Sequence, residues 1–246
     1  MKIALIGHGK MGRAVEQAAL TRGHEIVCVI DVDNQEDFNS EAFRSADVAM
    51  EFTTPKAALA NFHKCWATGL PVVSGSTGWQ NELVWDEVHA ELNKGATMLW
   101  APNFSIGLNV TQAASRLLAH LLNPYKSYHA SVHEVHHVHK LDHPSGSAIL
   151  LAGGIVEEHS RYDVWAEQTA AMLPDNALPI THERIGEVAG VHTVTWDSAE
   201  DTITLTHEAK GREGFATGAV VAAEWLLSAP KGHLYNMSDV LNSLAK

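Results

Sequence analysis

The sequence is poor in cysteine and in basic residues, and each shortage excludes a class of protein. Its two cysteines, Cys28 and Cys65, cannot form a thiolate metal cluster. Both lie in apolar stretches, which favours buried reduced thiols over a disulfide framework. Seventeen lysines and arginines against 29 aspartates and glutamates give a formal net charge of -12. This charge argues against nucleic acid or an anionic membrane as a partner, so we expect a small molecule instead.

Long apolar runs are also missing. No stretch approaches the roughly 20 apolar residues that a membrane-spanning helix needs, and the apolar run at 3–6 is too short for a signal peptide. The apolar content of 46% is nevertheless enough for a real core in one large or two modest domains. We therefore expect a cytoplasmic protein with no membrane contact.

The first hundred residues alternate between apolar runs of strand type and helical segments, which is typical of a parallel sheet. Strands are predicted over 2–6, 25–30, 47–52, 71–74 and 96–100, and helices over 13–22, 56–68 and 82–92. The runs lack polar and apolar alternation, as expected for strands buried on both faces. The predicted fold class is therefore α/β, with a Rossmann-type doubly wound parallel sheet.

A glycine-rich loop follows the first strand. Its G-x-G-x-x-G pattern allows a tight turn and a close approach of the backbone to a pyrophosphate. An aspartate ends the second strand, where dinucleotide-binding folds place an acid for the adenosine ribose. An ordinary turn between a strand and a helix is the alternative interpretation. The candidate cofactor-binding residues in this region are Gly7, Gly9, Lys10, Met11, Gly12 and Asp31.

Two further loops follow predicted strands, Phe-Thr-Thr-Pro at 52–55 and Gly-Ser-Thr-Gly at 75–78. Ligands of open parallel sheets bind outside the carboxyl ends of the strands. We therefore expect both loops to line the cofactor cleft. Their composition is equally typical of simple turns, which is the alternative.

The pattern changes near residue 104 and becomes strand-rich. After a predicted helix over 109–122, strands with β-branched residues and alternation are predicted over 131–138, 190–196 and 201–209, which is typical of an antiparallel or mixed sheet. Helices are predicted over 213–228 and 237–244, and residues 33–45 and 174–184 are interpreted as polar loops. We predict a dinucleotide-binding domain of residues 1–103 and 216–246. Residues 104–215 are predicted to form a second α+β domain with a mixed, largely antiparallel sheet.

Residues 134–148 combine histidines, a lysine and a loop that opens a helix. Imidazoles such as His136 and His137 titrate near neutral pH and can transfer protons, and Lys140 adds a cation. The loop at 144–147 runs into an apolar helical segment whose first N–H groups can bind an anion. These features suit a small carboxylated substrate that must gain a proton. A solvated histidine-rich loop is the alternative.

The segment His133-Glu134-Val135-His136-His137 also matches H-E-x-x-H, the motif of zinc proteases, so a metallohydrolase is the rival hypothesis. That motif needs a helix, because residues i and i+4 share a helical face but lie roughly 13 Å apart along a strand. Regularly recurring valines favour a strand here. We therefore expect that the protein carries no functional zinc, and we assign no metal-ligating residues.

Residues 134–148 resemble the signature of the 4-hydroxy-tetrahydrodipicolinate reductase family, also called dihydrodipicolinate reductase. The resemblance is carried by Glu134-x-His136-His137-x-x-Lys140-x-Asp142-x-Pro144-Ser145-Gly146-Ser147-Ala148. Further anchors run along the whole chain at 7–13, 52–55, 75–78, 101–107, 190–192, 207–219 and 235–241. The resemblance implies reduction of 4-hydroxy-tetrahydrodipicolinate to tetrahydrodipicolinate with NADH or NADPH, in lysine and diaminopimelate biosynthesis, by a homotetramer.

The resemblance also implies roles for individual residues. His136 matches the family's proton donor and Lys140 its partner in proton donation and carboxylate binding. His137, Gly146 and Ser147 match substrate contacts. The residues that match the nicotinamide side of the cofactor site are Gly75, Thr77, Ala101, Asn103, Phe104 and, at the domain junction, Arg212. A non-catalytic dinucleotide sensor is a further alternative, but a sensor would not need the acid.

The chain departs from the family pattern in three places. The glycine loop is one residue shorter than the commoner form, and Lys10 replaces its arginine. Ser147 replaces the usual threonine and keeps the hydroxyl. The segment after Asp31 lacks the arginine that many members carry, and a carboxylate there would repel the 2′-phosphate of NADPH. We therefore predict that NADH is favoured and that NADPH can still be used.

Overall fold

The computed structural model describes residues 1–169 and 172–244. The chain divides into two units, Met1–Ile106 with Arg212–Lys246, and Gly107–Gly211. Positions 245–246 of the predicted first domain lie outside the described residues. Each unit contains its own sheet and its own apolar core. None of the described helices is long and apolar enough to cross a membrane.

The described strands and helices, numbered in chain order, are as follows. The strands are β1 Lys2–Ile6, β2 Glu25–Ile30, β3 Val48–Glu51, β4 Val72–Ser74, β5 Met98–Trp100, β6 His129–His136, β7 Val164–Glu167, β8 Ala177–Arg184, β9 Val191–Asp197, β10 Thr202–Glu208 and β11 Leu234–Tyr235. The helices are α1 Lys10–Thr21, α2 Glu41–Arg44, α3 Pro55–Trp66, α4 Glu82–Asn93, α5 Ile106–Leu122, α6 Gly146–Glu158, α7 Glu213–Leu226 and α8 Met237–Leu244.

The first unit is built on a parallel sheet in the order β11-β5-β4-β3-β1-β2. Ile3 and Leu5 of β1 belong to one core cluster, whereas Ala4 and Ile6 belong to the cluster on the opposite face. This explains the unbroken apolar runs in the sequence, because both faces of the strands are covered. Strand order reverses beside β1, which lies between β2 and β3, and ligands of such sheets bind at this point. The predicted Rossmann-type fold is confirmed.

The structure corrects two predictions in this unit. The first helix begins at Lys10 and not at residue 13, so Gly12 lies in its first turn. Residues 33–45, predicted as a polar loop, contain a 3₁₀ turn at Gln35–Asn39 and the short helix α2. Polar composition hid these turns, which are held by the edge-to-face packing of the buried Phe38 and Phe43 rings, with centroids 5.1 Å apart.

The second unit contains a sheet in the order β10-β9-β6-β8-β7. The β10/β9 and β9/β6 pairs are antiparallel, but the β6/β8 and β8/β7 pairs are parallel. The predicted mixed sheet is therefore confirmed, and two of its four strand pairs are antiparallel. The prediction of a polar loop over 174–184 is wrong, because β8 occupies most of these residues. Helix α6 supplies a crossover of the kind that parallel strands require.

The central strand β6 connects the apolar core of the second unit to the candidate site. Every second residue is buried, beginning with Ala130 and Val132 and ending with Glu134 and His136. The first pair packs in the core formed with α6, where Leu151 and other apolar side chains cover the sheet. Because alternate residues of a strand share one face, the polar pair continues the same buried face beyond the core.

Gly218 of α7 packs closely against the backbone of Phe104. A Cβ atom on Gly218 would lie 1.8 Å from the backbone oxygen of Phe104, whereas one on Gly214 in the same helix would meet nothing within 4 Å. We expect Gly218→Ala to lower the free energy of unfolding by about 1–3 kcal/mol through overpacking. Gly214→Ala should be neutral or stabilising by up to about 1 kcal/mol. Urea unfolding of both variants tests this, and equal stabilities would contradict the close packing.

Candidate active site

The carboxyl ends of the parallel strands place the predicted cofactor loops along one edge of the first sheet. Backbone hydrogen bonds continue the ladder past the strand ends, from Gly7 N–H to the Ile30 carbonyl and from Phe52 N–H to the Ile6 carbonyl. The Gly75 N–H likewise donates to the Glu51 carbonyl, and the Ala101 N–H donates to the Ser74 carbonyl. The sheet therefore brings the glycine loop, the 52–55 loop, the 75–78 loop and Ala101 to the same edge.

The glycine loop leaves space that side chains would fill. Gly7 has a φ of +89°, and a Cβ atom there would lie 2.4 Å from the Phe52 carbonyl oxygen. A Cβ atom on Gly12 would lie 2.0 Å from the Gly7 oxygen. Gly9 begins α1 without a side-chain cap, and Lys10 and Met11 form its first turn. The helix N-terminus thus presents uncapped N–H groups at a close turn, which fits the pyrophosphate of a nicotinamide dinucleotide.

Asp31 lies beside the glycine loop and is held by it. One carboxylate oxygen accepts the His8 N–H at 2.8 Å, and the other accepts the Val32 N–H at 2.8 Å. These backbone hydrogen bonds, from His8 first and then Val32, lower the pKa of Asp31. It borders a cavity of about 430 Å³ whose lining also includes Arg13 and Asp33. Each carboxylate oxygen keeps acceptor capacity for a ribose hydroxyl.

The remaining predicted cofactor residues differ in their exposure. Gly75 fits closely, since a Cβ atom there would lie 2.2 Å from the Phe52 ring, and Thr77 is exposed. Ala101 and Phe104 are buried, with the Phe104 and Phe52 rings 6.0 Å apart. The predicted residues Asn103 and Arg212 serve local backbone turns, because the Asn103 side chain accepts the Ser105 N–H and the Arg212 carbonyl accepts N–H groups at the start of α7.

Sequence reasoning missed Glu51, a fully buried carboxylate at the end of β3. One of its oxygens accepts the N–H and hydroxyl of Thr53 and the Ser76 hydroxyl. The other accepts the Ser74 hydroxyl at 2.7 Å. The carboxylate therefore joins the 52–55 loop to the 75–78 loop. The signal that could have revealed it is an acid at the end of an apolar strand, with Thr two residues later and with Ser-x-Ser starting at the last residue of the next strand.

In the second unit a second buried carboxylate, Glu134, organises the histidine-rich segment around it. One of its oxygens accepts the Ser145 N–H at 3.0 Å and an Arg184 Nη2–H at 3.1 Å. The other lies 3.3 Å from His136 Nδ1 and 3.7 Å from His192 Nε2. Burial alone would raise the pKa of Glu134, but the contacts with His136, Ser145 and Arg184 outweigh it and lower the pKa to about 2.

His136 and His192 form a buried imidazole pair next to this carboxylate. Their rings meet edge to face with centroids 5.0 Å apart. Burial, reinforced by the proximity of His136, lowers the pKa of His192 to about 4, so His192 is neutral at physiological pH. The Nε2 atom of His136 faces Gly190, where a Cβ atom would approach it to 3.0 Å. The glycine therefore leaves room at the nitrogen that does not face Glu134.

Lys140 lies in the loop that follows β6. Its ammonium group contacts both oxygens of Asp142, at 2.9 and 2.8 Å. Burial would raise the pKa of Asp142, but the contact with Lys140 outweighs this effect and lowers it. Arg184 holds the loop by donating to the carbonyls of Lys140 and Asp142, at 3.3 and 2.7 Å. The loop thus keeps a partly exposed cation near the buried imidazoles.

The predicted helix N-terminus is present at α6. Ser145 caps the helix by accepting the Ala148 N–H at 3.2 Å, and its own hydroxyl lies 3.1 Å from His192 Nε2. Gly146 and Ser147 form the first turn. One segment therefore links the imidazole pair to a helix N-terminus that can receive an anion. His137 follows the end of β6, and the N–H of Lys140 donates to its carbonyl.

The H-E-x-x-H motif lies on a strand, as predicted. His133 and Glu134 are adjacent residues of β6 and therefore point to opposite faces of the sheet. His133 contacts the Thr181 hydroxyl at 2.8 Å, away from Glu134. The helix that the zinc protease geometry requires is therefore not formed by this segment, and the metallohydrolase hypothesis loses its structural basis.

Sequence analysis gave no role to Arg184 or His192. Arg184 ends β8, in the region predicted as a polar loop. The alternation of Leu178, Ile180 and His182 before it is a period-2 signal that places Arg184 on the buried face. His192 lies directly opposite Glu134 in the β6/β9 register. That pairing depends on strand register between distant segments, which a local pattern does not reveal.

Comparison with known proteins gives a consistent result. The family model for the dihydrodipicolinate reductase N-terminus matches residues 1–104, and the model for its C-terminus matches residues 107–241. A 4-hydroxy-tetrahydrodipicolinate reductase of Christiangramia forsetii is 40% identical over 246 residues, covering 100% of both chains. One from Methanopyrus kandleri is 37% identical over 80% of this chain and 72% of its own length.

Among solved structures, a dipicolinate-bound dihydrodipicolinate reductase from Paenisporosarcina sp. TG-14 has a TM-score of 0.76 at 22% identity, covering 96% of this chain and 97% of that one. It supports the same two-part fold. The match of both family models and the full-length relative together decide the family. The chain belongs to the dihydrodipicolinate reductases, the NAD(P)H-dependent oxidoreductases that carry out the reduction step of lysine and diaminopimelate biosynthesis.

Proposed function

We propose that the second unit binds the substrate of this reduction as a dicarboxylate and protonates it through His136 with the help of Lys140. The observation that carries the proposal is the buried contact between Glu134 and His136, 3.3 Å long, next to the N-terminus of α6. This arrangement combines an oriented imidazole with an anion-binding helix end. The dipicolinate bound by the solved relative is itself a planar dicarboxylate.

Glu134 acts as a positioning residue for the proton donor. The carboxylate faces Nδ1 of His136, so it holds the ring in one orientation. The proton to be transferred is then carried on Nε2, the atom that faces the space left by Gly190. His192 stays neutral and adds no competing charge beside it.

Lys140 and the start of α6 bind the substrate carboxylates. Lys140 is held by Asp142 before substrate binds, and a substrate carboxylate competes for the same ammonium group. The N–H groups of Gly146 and Ser147, with the Ser147 hydroxyl, receive the second carboxylate at the helix N-terminus. His137 borders this site at the end of β6. The site thereby selects small molecules with two negative groups.

The first unit holds the nicotinamide dinucleotide. Gly7, Gly9, Lys10, Met11 and Gly12 bind its pyrophosphate at the N-terminus of α1, and Asp31 binds the adenosine ribose. The nicotinamide side is held by Gly75, Thr77, Ala101, Asn103, Phe104 and Arg212. When bound, this group supplies the hydride that the reduction requires.

Glu51 positions the loops on the nicotinamide side. A buried carboxylate is stable only where hydrogen-bond donors replace water, and here Thr53, Ser74 and Ser76 do so. The Ser76 carbonyl in turn accepts the indole N–H groups of Trp79 and Trp100, at 2.8 and 2.9 Å. The 75–78 loop is therefore fixed from two sides, by the Glu51 carboxylate and by the two indole groups.

We further propose that NADH is favoured over NADPH. Asp31 and Asp33 place two carboxylates at the cavity that would receive a 2′-phosphate, and Arg13 is the cation among its lining residues. Repulsion from the carboxylates opposes the phosphate, while Arg13 reduces the effect. NADPH is therefore a usable but weaker cofactor.

We also propose that the enzyme is a homotetramer and works in the cytoplasm. The exposed side of α5 carries Val110, Leu117 and Leu121, each with more than half of its surface accessible, and contact between subunits would cover such a stripe. Both cysteines are free, and burial raises the pKa of the Cys28 thiol to about 11, which suits a reducing compartment.

Replacement of the proposed acid should slow turnover without loss of cofactor binding. We expect His136→Gln and Lys140→Ala each to reduce kcat by more than about tenfold, because general acid catalysis contributes roughly 10²–10⁴-fold. The double variant should lose less than the product of the single losses if the two residues act together. Steady-state kinetics and NADH titration by fluorescence measure both effects.

Matched controls keep this prediction specific. His133→Gln changes a histidine on the opposite face of the same strand, and Lys94→Ala removes a lysine that is paired with Glu91 on the surface. Both controls should keep normal turnover. Normal turnover in His136→Gln and Lys140→Ala as well would remove these residues from the mechanism.

Cofactor preference should depend on Asp31. We expect kcat/KM for NADH to exceed that for NADPH by about tenfold, corresponding to roughly 1–2 kcal/mol of screened repulsion. Asp31→Asn should reduce this ratio more than Asp33→Asn, which removes the same charge from the same cavity without touching the glycine loop. The measurement is kcat/KM for both cofactors at low and high salt. A preference for NADPH that weakens as salt rises would mean that Arg13 controls the site.

The role of Glu51 can be tested by an amide replacement. Glu51→Gln turns one acceptor oxygen into a donor that faces hydroxyl and N–H donors, so we expect a loss of about 1–3 kcal/mol in stability. The KM for NADH should rise severalfold, because the loops around the nicotinamide shift. Thermal unfolding and kinetics of Glu51→Gln are compared with Glu25→Gln, an exposed strand glutamate. An unchanged KM together with an unchanged melting temperature would argue against this role.

A further inference from the structure

A second histidine cluster lies in the second unit, outside the proposed catalytic residues. His143 Nδ1 and His182 Nδ1 contact the same oxygen of Glu167, at 2.8 and 2.9 Å. The two imidazole rings are stacked with centroids 4.5 Å apart and an interplanar angle of 16°. The three ligand atoms all lie within 4.8 Å of one another. Two imidazole nitrogens and a carboxylate oxygen therefore converge on one point.

The three residues come from different segments of the chain. His143 belongs to the loop after β6, Glu167 ends β7 and His182 lies on β8. The fold must therefore bring them together, because no short sequence motif contains them. The cluster shares no residue with the H-E-x-x-H segment. The expectation of no functional zinc was based on that segment alone.

The spacing of the donors fits a small divalent ion. Four-coordinate zinc binds imidazole nitrogen at about 2.0–2.1 Å and carboxylate oxygen at about 2.0–2.2 Å, which separates neighbouring ligand atoms by roughly 3.3 Å. The Nδ1 to Oε1 distances are 2.8 and 2.9 Å, so each must increase by only about 0.4–0.5 Å to reach this separation. The His143 ring is half exposed, so it has room to tilt until its Nδ1 lone pair and that of His182 point to the same ion.

The ligand set also indicates the class of ion. Neutral imidazoles with one carboxylate suit zinc and its neighbours nickel and copper, whereas magnesium and calcium prefer oxygen ligands alone. The solvent-exposed side of the cluster leaves a fourth position for water, as in open two-histidine, one-carboxylate sites. The Glu167 carboxylate offsets part of the positive charge of the ion, and none of the three residues is fully buried, so desolvation of the ion is incomplete.

We propose that His143, Glu167 and His182 form a binding site for a divalent transition-metal ion of the zinc class. His143 immediately precedes Pro144 and the Ser145 cap of α6, so an ion at this site ties the loop of Lys140 to β7 and β8. The ion has no part in hydride or proton transfer. The binding site does not depend on which reaction the unit catalyses.

Zinc binding to chelator-treated enzyme tests the proposal. Titration of the whole chain with zinc chloride at pH 7.5, followed by calorimetry, should show one saturable site. His182→Gln and Glu167→Gln should each weaken zinc binding at this site by at least about tenfold, the lower limit seen when metal-site interactions are removed.

Two controls separate this site from other histidines. His139→Gln removes a histidine of the same loop that contacts Glu187 at 2.9 Å, and it should leave zinc binding unchanged. His192→Gln alters the neighbouring group of Glu134, His136 and His192, which could also hold an ion, and should likewise keep the site. Circular dichroism checks that each variant is folded.

Two results would overturn the proposal. One is the absence of saturable zinc binding to the wild-type enzyme, which would leave the cluster as a hydrogen-bonded pair of histidines on a glutamate. The other is binding that His192→Gln abolishes and His182→Gln leaves intact, which would assign the ion to the catalytic cluster. Cobalt provides an independent readout in the wild-type chain. Cobalt bound at a four-coordinate site with imidazole ligands absorbs visible light, and this absorption should disappear when zinc displaces the cobalt.

Discussion

The interactions of the buried Glu134 carboxylate determine how the second unit presents its chemistry. A carboxylate with no exposed surface is costly unless donors replace its hydration, and Glu134 obtains them from Ser145 and Arg184. Each donor belongs to a different element, the cap of α6 and the end of β8. Satisfying one buried charge therefore fixes the helix N-terminus, the Lys140 loop and the His136 ring relative to each other.

The first unit repeats this solution with different donors. Glu51 is also fully buried at the end of a central strand, but hydroxyl groups and a backbone N–H surround it in place of a guanidinium and imidazoles. The contrast matches the two proposed tasks. Neutral donors hold loops for a cofactor without adding charge, whereas the ion pairs of Glu134 support a residue that must carry a proton. Both carboxylates lie where the buried apolar residues of a strand give way to the residues proposed to bind ligands.

Local sequence patterns were sufficient where an element is determined by its own residues. The unbroken apolar run of β1 and the glycines after it predicted a buried strand and a tight turn, and the alternating residues of β6 predicted a strand against the H-E-x-x-H match. They failed where tertiary contacts decide. β8 was interpreted as a loop, because its polar residues are accommodated only by pairing with β6 and β7. The buried phenylalanines that hold residues 35–44 were likewise hidden by polar neighbours.

The same limit applies to the site. The segment 134–148 marked His136 and Lys140 because their chemistry is visible in one stretch, but Arg184 and His192 reach Glu134 only through strand register. Register is set by the hydrophobic halves of these strands, since Val132, Ile180 and Val194 lie side by side in the core. A one-residue slip of β8 or β9 would turn Arg184 or His192 to the other face of the sheet. The apolar core thus does more than stabilise the fold: its packing selects the only register in which Glu134 meets its partners, and precise placement of the proposed proton donor follows from it.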